Sequence, residues 1–374
     1  MRSKNRKGTG TVWMQTGLAV LCVILAFVLF AMIFATAFIN RTLNQMNRVD
    51  PDKESALGSS EAEQLMGSDP DLETIDPNSK ETLPNIEDIT FPTEPTEPTS
   101  PTENDGPQQP TQNTSPLEKG EHVINIMLVG QDRRPGEGRQ RSDSMILVTI
   151  NKSKGTITLT SFMRDQYVLI PGYKPNKLNA AYALGGFSLM NETLAVNFGV
   201  LVDGNVEVDF DGFKDVIDLL GGVEITLTQA EADHLNEEYQ YTLTPGKQYL
   251  NGEQALSYSR IRKIDTDYQR AKRQRTVLLS LLNRYKEKPA AEMLALLDDI
   301  LPMVTTNMTN AEIISLATEV LPMLSSSRID TLRIPVDGTF DQGDVQVRPG
   351  LKNWFQYNID FEANRKLLQQ IFAE

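Results

Sequence analysis

Apolar and polar residues divide this chain into three parts. An uncharged run from Gly8 to Asn40 holds a 22-residue apolar core, Leu18–Ile39, and about 20 apolar residues suffice to cross a bilayer. Residues 49–121 contain eleven of the twenty prolines and one aromatic residue. From Val123 onward, apolar runs and alternating segments recur to the end of the chain. The pattern predicts a membrane span, a linker and a folded domain.

The folded part alternates between the two periodicities of regular structure. Segments with the length and apolar pattern of strands cover residues 123–129, 145–150, 156–160, 206–208, 223–227 and 329–334. Segments with helical spacing cover residues 210–220, 267–286, 290–301, 310–325 and 362–372. Residues 152–155 are typical of a hairpin turn, and residues 206–227 of a strand–helix–strand unit. The predicted fold class is α/β: a single three-layer α/β/α domain with a mixed central sheet.

The net charge of −14 is distributed unevenly along the chain. Residues 1–48 carry six Lys or Arg and no acid, whereas residues 49–121 carry 18 Asp or Glu against three Lys. The acidity therefore belongs mainly to the linker and does not exclude phosphate-binding chemistry in the domain. A linker of this composition cannot offset its chain entropy by burying apolar surface, so we expect it to be a disordered tether.

Basic residues concentrate before the apolar run, which favours a cytoplasmic N-terminus and an extracellular domain. The expected organisation is a single-pass cell-membrane protein with four parts: a cytoplasmic basic tail at 1–10, a transmembrane signal anchor at 11–40, a disordered acidic Pro/Thr/Glu-rich linker at 41–121 and an extracellular domain at 122–374. A cleaved signal peptide is the alternative, because Ala35-Thr36-Ala37 mimics a cleavage site. The run is, however, longer than the roughly 7–15 residues of a signal h-region.

Several functional classes fit the composition poorly. Cys22 is the single cysteine, so an intrachain disulfide is excluded. His122 and His234 lie far apart in the sequence, which argues against a His-based zinc site and a Ser-His-Asp triad. Nucleic acid is not an expected partner, because the domain is acidic and lacks basic patches interleaved with aromatic residues.

Two carboxylates lie at the ends of the first two predicted strands of the domain. Asp132 follows the strand at 123–129, and Asp143 precedes the strand at 145–150. Ligands of α/β sheets usually bind at strand ends, and two carboxylates with phosphate oxygens and water suit Mg²⁺ (or Mn²⁺). A turn-capping role for Asp132 and an ion pair of Asp143 with an arginine remain the alternatives.

A first pair of cations follows the strand at 156–160. Arg164 is adjacent to Asp165, and Lys177 begins the segment Lys177-Leu178-Asn179-Ala180-Ala181-Tyr182. Arginine binds phosphate through several N–H groups and lysine adds a point charge. The pair indicates phosphate recognition, and surface salt bridges are the alternative explanation.

A larger cationic cluster includes Arg260, Arg262, Arg270 and Gln274. Arg260 and Arg262 would share one face if that segment is extended. On the helix predicted at 267–286, Arg270 and Gln274 share the core-facing stripe. A buried arginine there requires an anion to balance its charge.

That balancing anion could also be internal, since Asp265 and Asp267 are close in sequence to Arg270. Lys272 and Arg275 fall off the core-facing stripe of the same helix, and we expect both to be solvated.

With these residues in place, the chain resembles the LytR–CpsA–Psr family of cell-wall glycopolymer transferases. The resemblance runs from about residue 123 to residue 282. Its motifs, in order, are Arg141-Ser142-Asp143-Ser144-Met145, Arg164-Asp165, Lys177-Leu178-Asn179-Ala180-Ala181-Tyr182, Gly221-Gly222-Val223-Glu224, the segment 252–262 and Asp267-x-x-Arg270-x-x-Arg273-Gln274. Met163 is a departure, because the family usually has proline there. The departure removes a rigid turn residue but no charge.

The resemblance implies a phosphotransferase that moves a glycopolymer phosphate from a polyprenyl-pyrophosphate carrier to peptidoglycan. It implies that Asp132 and Asp143 hold Mg²⁺, and that Arg164, Asp143 and Arg270 are catalytic. The pyrophosphate would be bound by Arg164, Lys177, Arg260, Arg262, Arg270 and Gln274. An apolar tunnel for the lipid is expected between the sheet and the helices. Hydrolysis of the lipid pyrophosphate and a non-enzymatic, membrane-anchored regulator of wall metabolism are the competing hypotheses.

Overall fold

The computed structural model describes residues 40–50, 73–74, 115–131, 139–286, 299–324, 326–348 and 351–373. Its strands are β1 Asn47–Arg48, β2 Glu73–Thr74, β3 Val123–Gln131, β4 Ser142–Asn151, β5 Thr156–Phe162, β6 Tyr167–Val168, β7 Asn176–Lys177, β8 Gly204–Asp209, β9 Val223–Leu227, β10 Gly246–Leu250, β11 Thr305–Thr306, β12 Arg328–Ile334, β13 Asp341–Arg348 and β14 Leu351–Tyr357. Its helices are α1 Leu178–Phe198, α2 Phe210–Leu219, α3 Gln229–Tyr239, α4 Gly252–Ser259, α5 Asp267–Lys286, α6 Asn310–Leu324 and α7 Phe361–Phe372, with a short 3₁₀ helix at Leu301–Met303.

The central sheet has seven strands in the order β1-β11-β8-β3-β4-β5-β12. Its middle strands β3, β4 and β5 are antiparallel, and β8 and β12 run parallel to β3 and β5 respectively. The predicted hairpin is confirmed, since Asn151 pairs with Thr156 across the turn. The sheet is mixed, as expected.

Helices cover both faces of this sheet. Met127 and Val129 of β3 pack in one apolar cluster with α1 and α7. Ile124 and Leu128, which point to the opposite face, pack with residues of α5 and α6. Because alternate residues of β3 are buried on both faces, the strand is a continuous apolar run in the sequence. The three-layer architecture is confirmed.

The expected strand–helix–strand unit is present in sequence order, but its two strands lie in different sheets. β8 belongs to the central sheet, whereas β9 pairs antiparallel with β10 in a separate two-stranded sheet. Gly221 and Gly222 follow α2 with φ angles of 82° and 89°, a region that favours glycine. A Cβ at Gly222 would lie 2.9 Å from the carbonyl oxygen of Leu250. This turn therefore directs β9 against β10, away from the central sheet.

Several parts of the fold were not predicted, among them α3, α4 and β10. Helix α1 is buried along nearly all of its length, so it has no polar face and no amphipathic pattern. The hairpin of β13 and β14 lies in the C-terminal region, where no motif was identified. Of the helix predicted at 290–301, residues 290–298 lie outside the described residues, and Leu301–Met303 form the 3₁₀ helix.

The domain boundary predicted at residue 122 is too late. β1 pairs in parallel with β11 at the edge of the central sheet, and Leu43 and Met46 are buried in an apolar cluster beside Val304. Just before β3, the amide of Gly120 donates to the carbonyl of Phe372 at 3.0 Å. Residues 41–50 and 115–121 were assigned to a disordered linker, but they are ordered parts of the domain because they bury apolar side chains and form backbone hydrogen bonds.

The predicted membrane span at 11–40 lies outside the described residues except for residue 40. Within the described ranges, no helix combines the length and the apolar character that crossing a membrane requires.

Candidate anion-binding site

Three arginines from three different segments converge on the carboxylate of Asp143. Nη1 of Arg164, after β5, lies 3.0 Å from Oδ1 of Asp143. Nη2 of Arg262, in the loop after α4, lies 3.6 Å from the same oxygen. Arg270, in the first turn of α5, is also close enough for the charges of Arg164, Arg262 and Asp143 to act on its pKa. The structure thus brings together four residues that the sequence separates by up to 127 positions.

Arg270 is the buried member of this group. It is 4% exposed, and its Nη2 pairs with Asp267 at 2.7 Å. Burial and, after it, the positive charge of Arg164 lower its pKa from 12.5 to about 10. Its Nε has no hydrogen-bond partner among the described residues. The internal partner considered from the sequence, Asp267, is therefore present, yet it leaves part of the guanidinium unsatisfied.

Asp165 connects Arg164 to Lys177. Oδ1 of Asp165 lies 2.9 Å from Nζ of Lys177, and Oδ2 lies 3.3 Å from Nε of Arg164. Burial alone would raise the pKa of Asp165, but the charges of Arg164 and Lys177 outweigh it and hold the pKa below 3.8. Asp165 was part of a motif in the sequence, and no role was assigned to it. In the structure it is the counter-ion that positions both cations.

Local backbone contacts hold these cations in place. Lys177 ends β7 and is the N-cap of α1, while the amide of Asn179 donates to the carbonyl of Arg164 at 3.3 Å.

The C-terminal hairpin of β13 and β14 completes the site. The Phe355 ring lies 5.5 Å from Nζ of Lys177, and the amide of Gln356 donates to the carbonyl of Asp165 at 2.9 Å. The sequence could not predict these contributions of Phe355 and Gln356, because they depend on where β14 packs in the folded chain.

Two predicted members of the site are not in contact with Asp143. Arg260 is the C-cap of α4 with helical φ and ψ, so it is not extended as the sequence analysis supposed. Its guanidinium lies over the Phe210 ring, 4.6 Å from the centroid. Gln274 is half-buried one turn beyond Arg270 on α5. Asp132 lies outside the described residues.

Helix α5 carries two further buried arginines. Arg273 pairs through Nε with Glu231 at 2.7 Å and through Nη2 with Asp265. These contacts attach α5 to α3 and to the loop after α4, so we assign Arg273 a structural role. Arg275 was expected to be solvated, and this was wrong. It is 9% exposed and donates from Nη1 to Oγ of Ser161 at 2.7 Å.

A buried carboxylate that the sequence analysis missed lies where β3 and β8 end. Glu207 is 4% exposed and accepts hydrogen bonds from the Gln131 amide and the Tyr182 hydroxyl. Its position, opposite Val129 in the sheet register, looks like an ordinary strand residue in the sequence. The sequence does carry one signal: Glu207 stands between Val206 and Val208. In a strand, this alternation places Glu207 on the face opposite the two valines.

The cluster as a whole favours anions. Arg164, Arg262, Arg270 and Lys177 face three carboxylates, and most of these cations are removed from water, where charge–charge interactions are stronger. The planar guanidinium group of arginine can donate two parallel hydrogen bonds to the oxygens of one phosphate. Within the described residues, no group of three or more His, Cys, Asp or Glu side chains could hold a metal alone. The side chain of Asp143 is 28% exposed, so it is accessible from solvent.

Comparisons with known proteins give consistent results. The LytR_cpsA_psr family model matches residues 92–360. TagU of Bacillus mycoides (strain KBAB4), named a polyisoprenyl-teichoic acid–peptidoglycan teichoic acid transferase, is 32% identical over 227 residues, which cover 58% of this chain and 69% of TagU. TagV of Bacillus subtilis (strain 168), with the same type of name, is 32% identical over 259 residues, or 66% of this chain and 64% of TagV.

The fold has a solved counterpart. A structure of TagT bound to LI-WTA matches with a TM-score of 0.56 and 25% identity, covering 71% of this chain and 96% of that one. With respect to the two transferases named above, the chain spans about two thirds of their length.

Proposed function

Because this chain belongs to the LytR_cpsA_psr family, we propose that it is a phosphotransferase that moves a glycopolymer phosphate from a polyprenyl-pyrophosphate carrier onto peptidoglycan. The transferase names of TagU and TagV support this reaction class. Substrate, acceptor and products are part of the proposal, as is the location of the domain on the outer side of the cell membrane behind a span at 11–40.

The convergence of Arg164, Arg262 and Arg270 on Asp143 carries the proposal. A pyrophosphate placed beside Asp143 would meet the unsatisfied Nε of Arg270 and the guanidinium of Arg164 within hydrogen-bonding reach. Phosphoryl transfer needs positioning and charge neutralisation more than covalent help from the protein. Arg260 and Gln274, on the borders of the cluster, stay in the proposed set of pyrophosphate-binding residues, and Lys177 acts from behind Asp165.

In the proposed reaction, a peptidoglycan hydroxyl oxygen attacks the phosphorus atom that carries the glycopolymer. A P–O bond forms to the acceptor, and the bond from that phosphorus to the bridging oxygen breaks. Polyprenyl phosphate leaves with the bond's electron pair, and the acceptor proton passes to a base. Asp143 is our candidate for that base, because it is the carboxylate at the centre of the arginines. Arg164 and Arg270 stabilise the charge that develops on the phosphate oxygens.

The same carboxylate is our candidate ligand for Mg²⁺ or Mn²⁺. The side chain of Asp143 is 28% exposed, so a cation from solvent can reach its carboxylate. Asp132 directly follows Gln131, which pairs with Ser142 beside Asp143, and is the proposed second ligand. When bound, the ion would neutralise charge on pyrophosphate oxygens.

Product analysis with a lipid-linked glycan tests the proposal. The full chain is incubated with the donor, with and without a peptidoglycan oligomer. Transfer predicts a glycan joined to the oligomer and polyprenyl phosphate released in equal amount. Free glycosyl phosphate in both incubations would instead support hydrolysis. Donor binding without turnover would support the regulatory hypothesis.

A further inference from the structure

Arg275 is a buried cation without a carboxylate partner among the described residues. It is 9% exposed, and its one hydrogen bond to the described part of the chain is donated to Ser161 Oγ at 2.7 Å. A guanidinium carries five N–H donors. Removing such a group from water without a counter-ion is costly. The carboxylates of the reaction site do not offset this cost, because Asp143, Asp165 and Asp267 pair with other cations.

A second arginine adds to the positive charge at this place. Arg333 of β12 pairs in the sheet register with Ser161 of β5, so both side chains point to the same face of the sheet. Its side chain is 13% exposed, and its Nη1 is buried without a hydrogen-bond partner among the described residues. Burial lowers the pKa of Arg275, and the charge of Arg333 lowers it further. The structure therefore holds two guanidinium groups close together.

The described residues provide one carboxylate for these two arginines. Asp337 pairs with Nη2 of Arg333 at 2.5 Å, its own side chain is 86% exposed, and Arg333 Nη1 and Arg275 are left without a carboxylate. On the other side, the Arg333 guanidinium lies over the Tyr268 ring, 4.0 Å from its centroid. The aromatic ring fixes the direction of the guanidinium and leaves its edge available. Two oriented guanidinium groups, both with donors unused, form a site for an oxyanion.

We propose that Arg275 and Arg333, with the Ser161 hydroxyl, form a second phosphate-binding subsite beside the pyrophosphate site. The two subsites are close in sequence, since Ser161 lies three residues before Arg164 and Tyr268 lies two residues before Arg270 on α5. A chain of contacts also links them, and it begins with the Arg333 guanidinium over the Tyr268 ring. The Tyr268 hydroxyl also accepts a hydrogen bond from Nε2 of Gln356 at 3.3 Å, while the Gln356 amide binds the carbonyl of Asp165.

This inference rests on the proposed function for the identity of its ligand. A donor whose glycan contains phosphodiesters would present a phosphate beyond the pyrophosphate, and that group is the ligand we assign. Free phosphate offers the same chemistry from another source. The subsite would thus select donors by the charge of the polymer rather than by the lipid carrier.

The test compares two donors with the same lipid pyrophosphate, one with a phosphodiester in its glycan and one without. For the full chain in detergent, we expect Arg275→Met to lower the ratio of kcat/KM for the two donors about tenfold, the effect of one charge-assisted contact. Lys272→Met, which removes an exposed charge from the same helix, is the matched control and should leave the ratio unchanged. Inorganic phosphate is then added to the phosphodiester-free reaction. If phosphate inhibits the unmodified chain but not Arg275→Met, free phosphate is identified as the source of the ligand. That result would also support the subsite.

An unchanged ratio together with no phosphate effect, in a folded Arg275→Met chain, would overturn the inference while leaving the proposed function intact. Failure of the unmodified chain on both donors would instead count against the proposed function. If Arg275→Met does not fold, Arg333→Met replaces it with the same expected ratio. A wild-type measurement is also decisive: inorganic phosphate should raise Tm further when pyrophosphate is already saturating, and no rise would contradict a second subsite.

Discussion

Oδ1 of Asp165 lies 2.9 Å from Nζ of Lys177, and water is almost wholly excluded from both side chains. Asp165→Asn would leave the Lys177 ammonium buried without a counter-ion. We expect the free energy of unfolding to fall by about 3–5 kcal/mol, as when one member of a buried ion pair is removed. Chemical denaturation at pH 7 measures the loss. Glu224→Gln, which breaks the exposed pair with Lys247, is the control and should have little effect.

The same carboxylate should make stability depend on acid pH. Its folded-state pKa lies below the ordinary value because Arg164 and Lys177 outweigh the effect of burial. A lowered pKa contributes stability that is complete above the unfolded pKa, about 4, and is lost as the pH falls through the folded value. We expect unfolding free energy to decrease from about pH 4 downward, and Asp165→Asn to flatten this decrease. An equally steep profile in the variant would show that other carboxylates dominate.

Arg270 should matter for reaction rate more than for stability. Arg270→Met removes a donor aimed at the proposed pyrophosphate, and we expect kcat to fall about 100-fold, the typical cost of one such electrostatic contact. Because burial of the arginine is itself unfavourable, unfolding free energy should change by no more than about 1 kcal/mol. Steady-state kinetics and denaturation of the same preparation measure both. Lys272→Met is the control, and a kcat close to wild type in Arg270→Met would remove Arg270 from the mechanism.

Arg273 should show the opposite behaviour. Its contacts with Glu231 and Asp265 are internal to the fold, so Arg273→Met leaves two carboxylates without their partner. We expect a loss of about 3–5 kcal/mol in unfolding free energy, with the activity of the folded fraction within a few-fold of wild type. Lys263→Met, at an exposed pair with Glu238, is the matched control. A large fall in kcat without a stability loss would mean that Arg273 contacts substrate.

The proposed metal site can be tested without turnover. Asp143→Asn replaces one carboxylate oxygen by an NH₂ group and removes the negative charge, which weakens the binding of a hard cation. We expect Mn²⁺ binding, followed by electron paramagnetic resonance in the presence of pyrophosphate, to weaken at least tenfold, about 1.4 kcal/mol. Asp211→Asn, at a solvent-exposed carboxylate paired with Lys214, should bind Mn²⁺ as wild type does. Unaltered binding in Asp143→Asn would contradict the assignment.

Sequence reasoning succeeded where the pattern was local. The bounds of β9 and α5 were predicted to the residue, because alternation in the first and the Asp267 start of the second are properties of the segments themselves. It failed for α1, whose two sides are both buried, since an amphipathic stripe appears only where one side faces water. The position of β9 against β10 depends on a glycine turn and a tertiary contact that no local pattern contains.

For the site, residue types were a better guide than their geometry. Arg164 was identified because arginine suits phosphate recognition, and Arg270 because a buried arginine demands an anion; the structure brings them together. Asp165 was not identified as the partner of Lys177, since any nearby carboxylate could have formed that ion pair. Arg275 was misassigned because its helical position places it off the apolar stripe, while the C-terminal end of β5 at Ser161 covers it. Phe355 could not be found, because it reaches the site through strand pairing from the far end of the chain.

The pairing of β1 with β11 changes what the acidic stretch can do. The chain pairs with the domain at residues 47–48, at residues 73–74 through β2 and β14, and again from residue 115. Since residue 47 already belongs to the central sheet, the length of the acidic stretch does not set the distance between the domain and a span at 11–40. If residues 11–40 cross the bilayer as we expect, the sheet edge is only a few residues away, and the reaction site works close to the lipid headgroups.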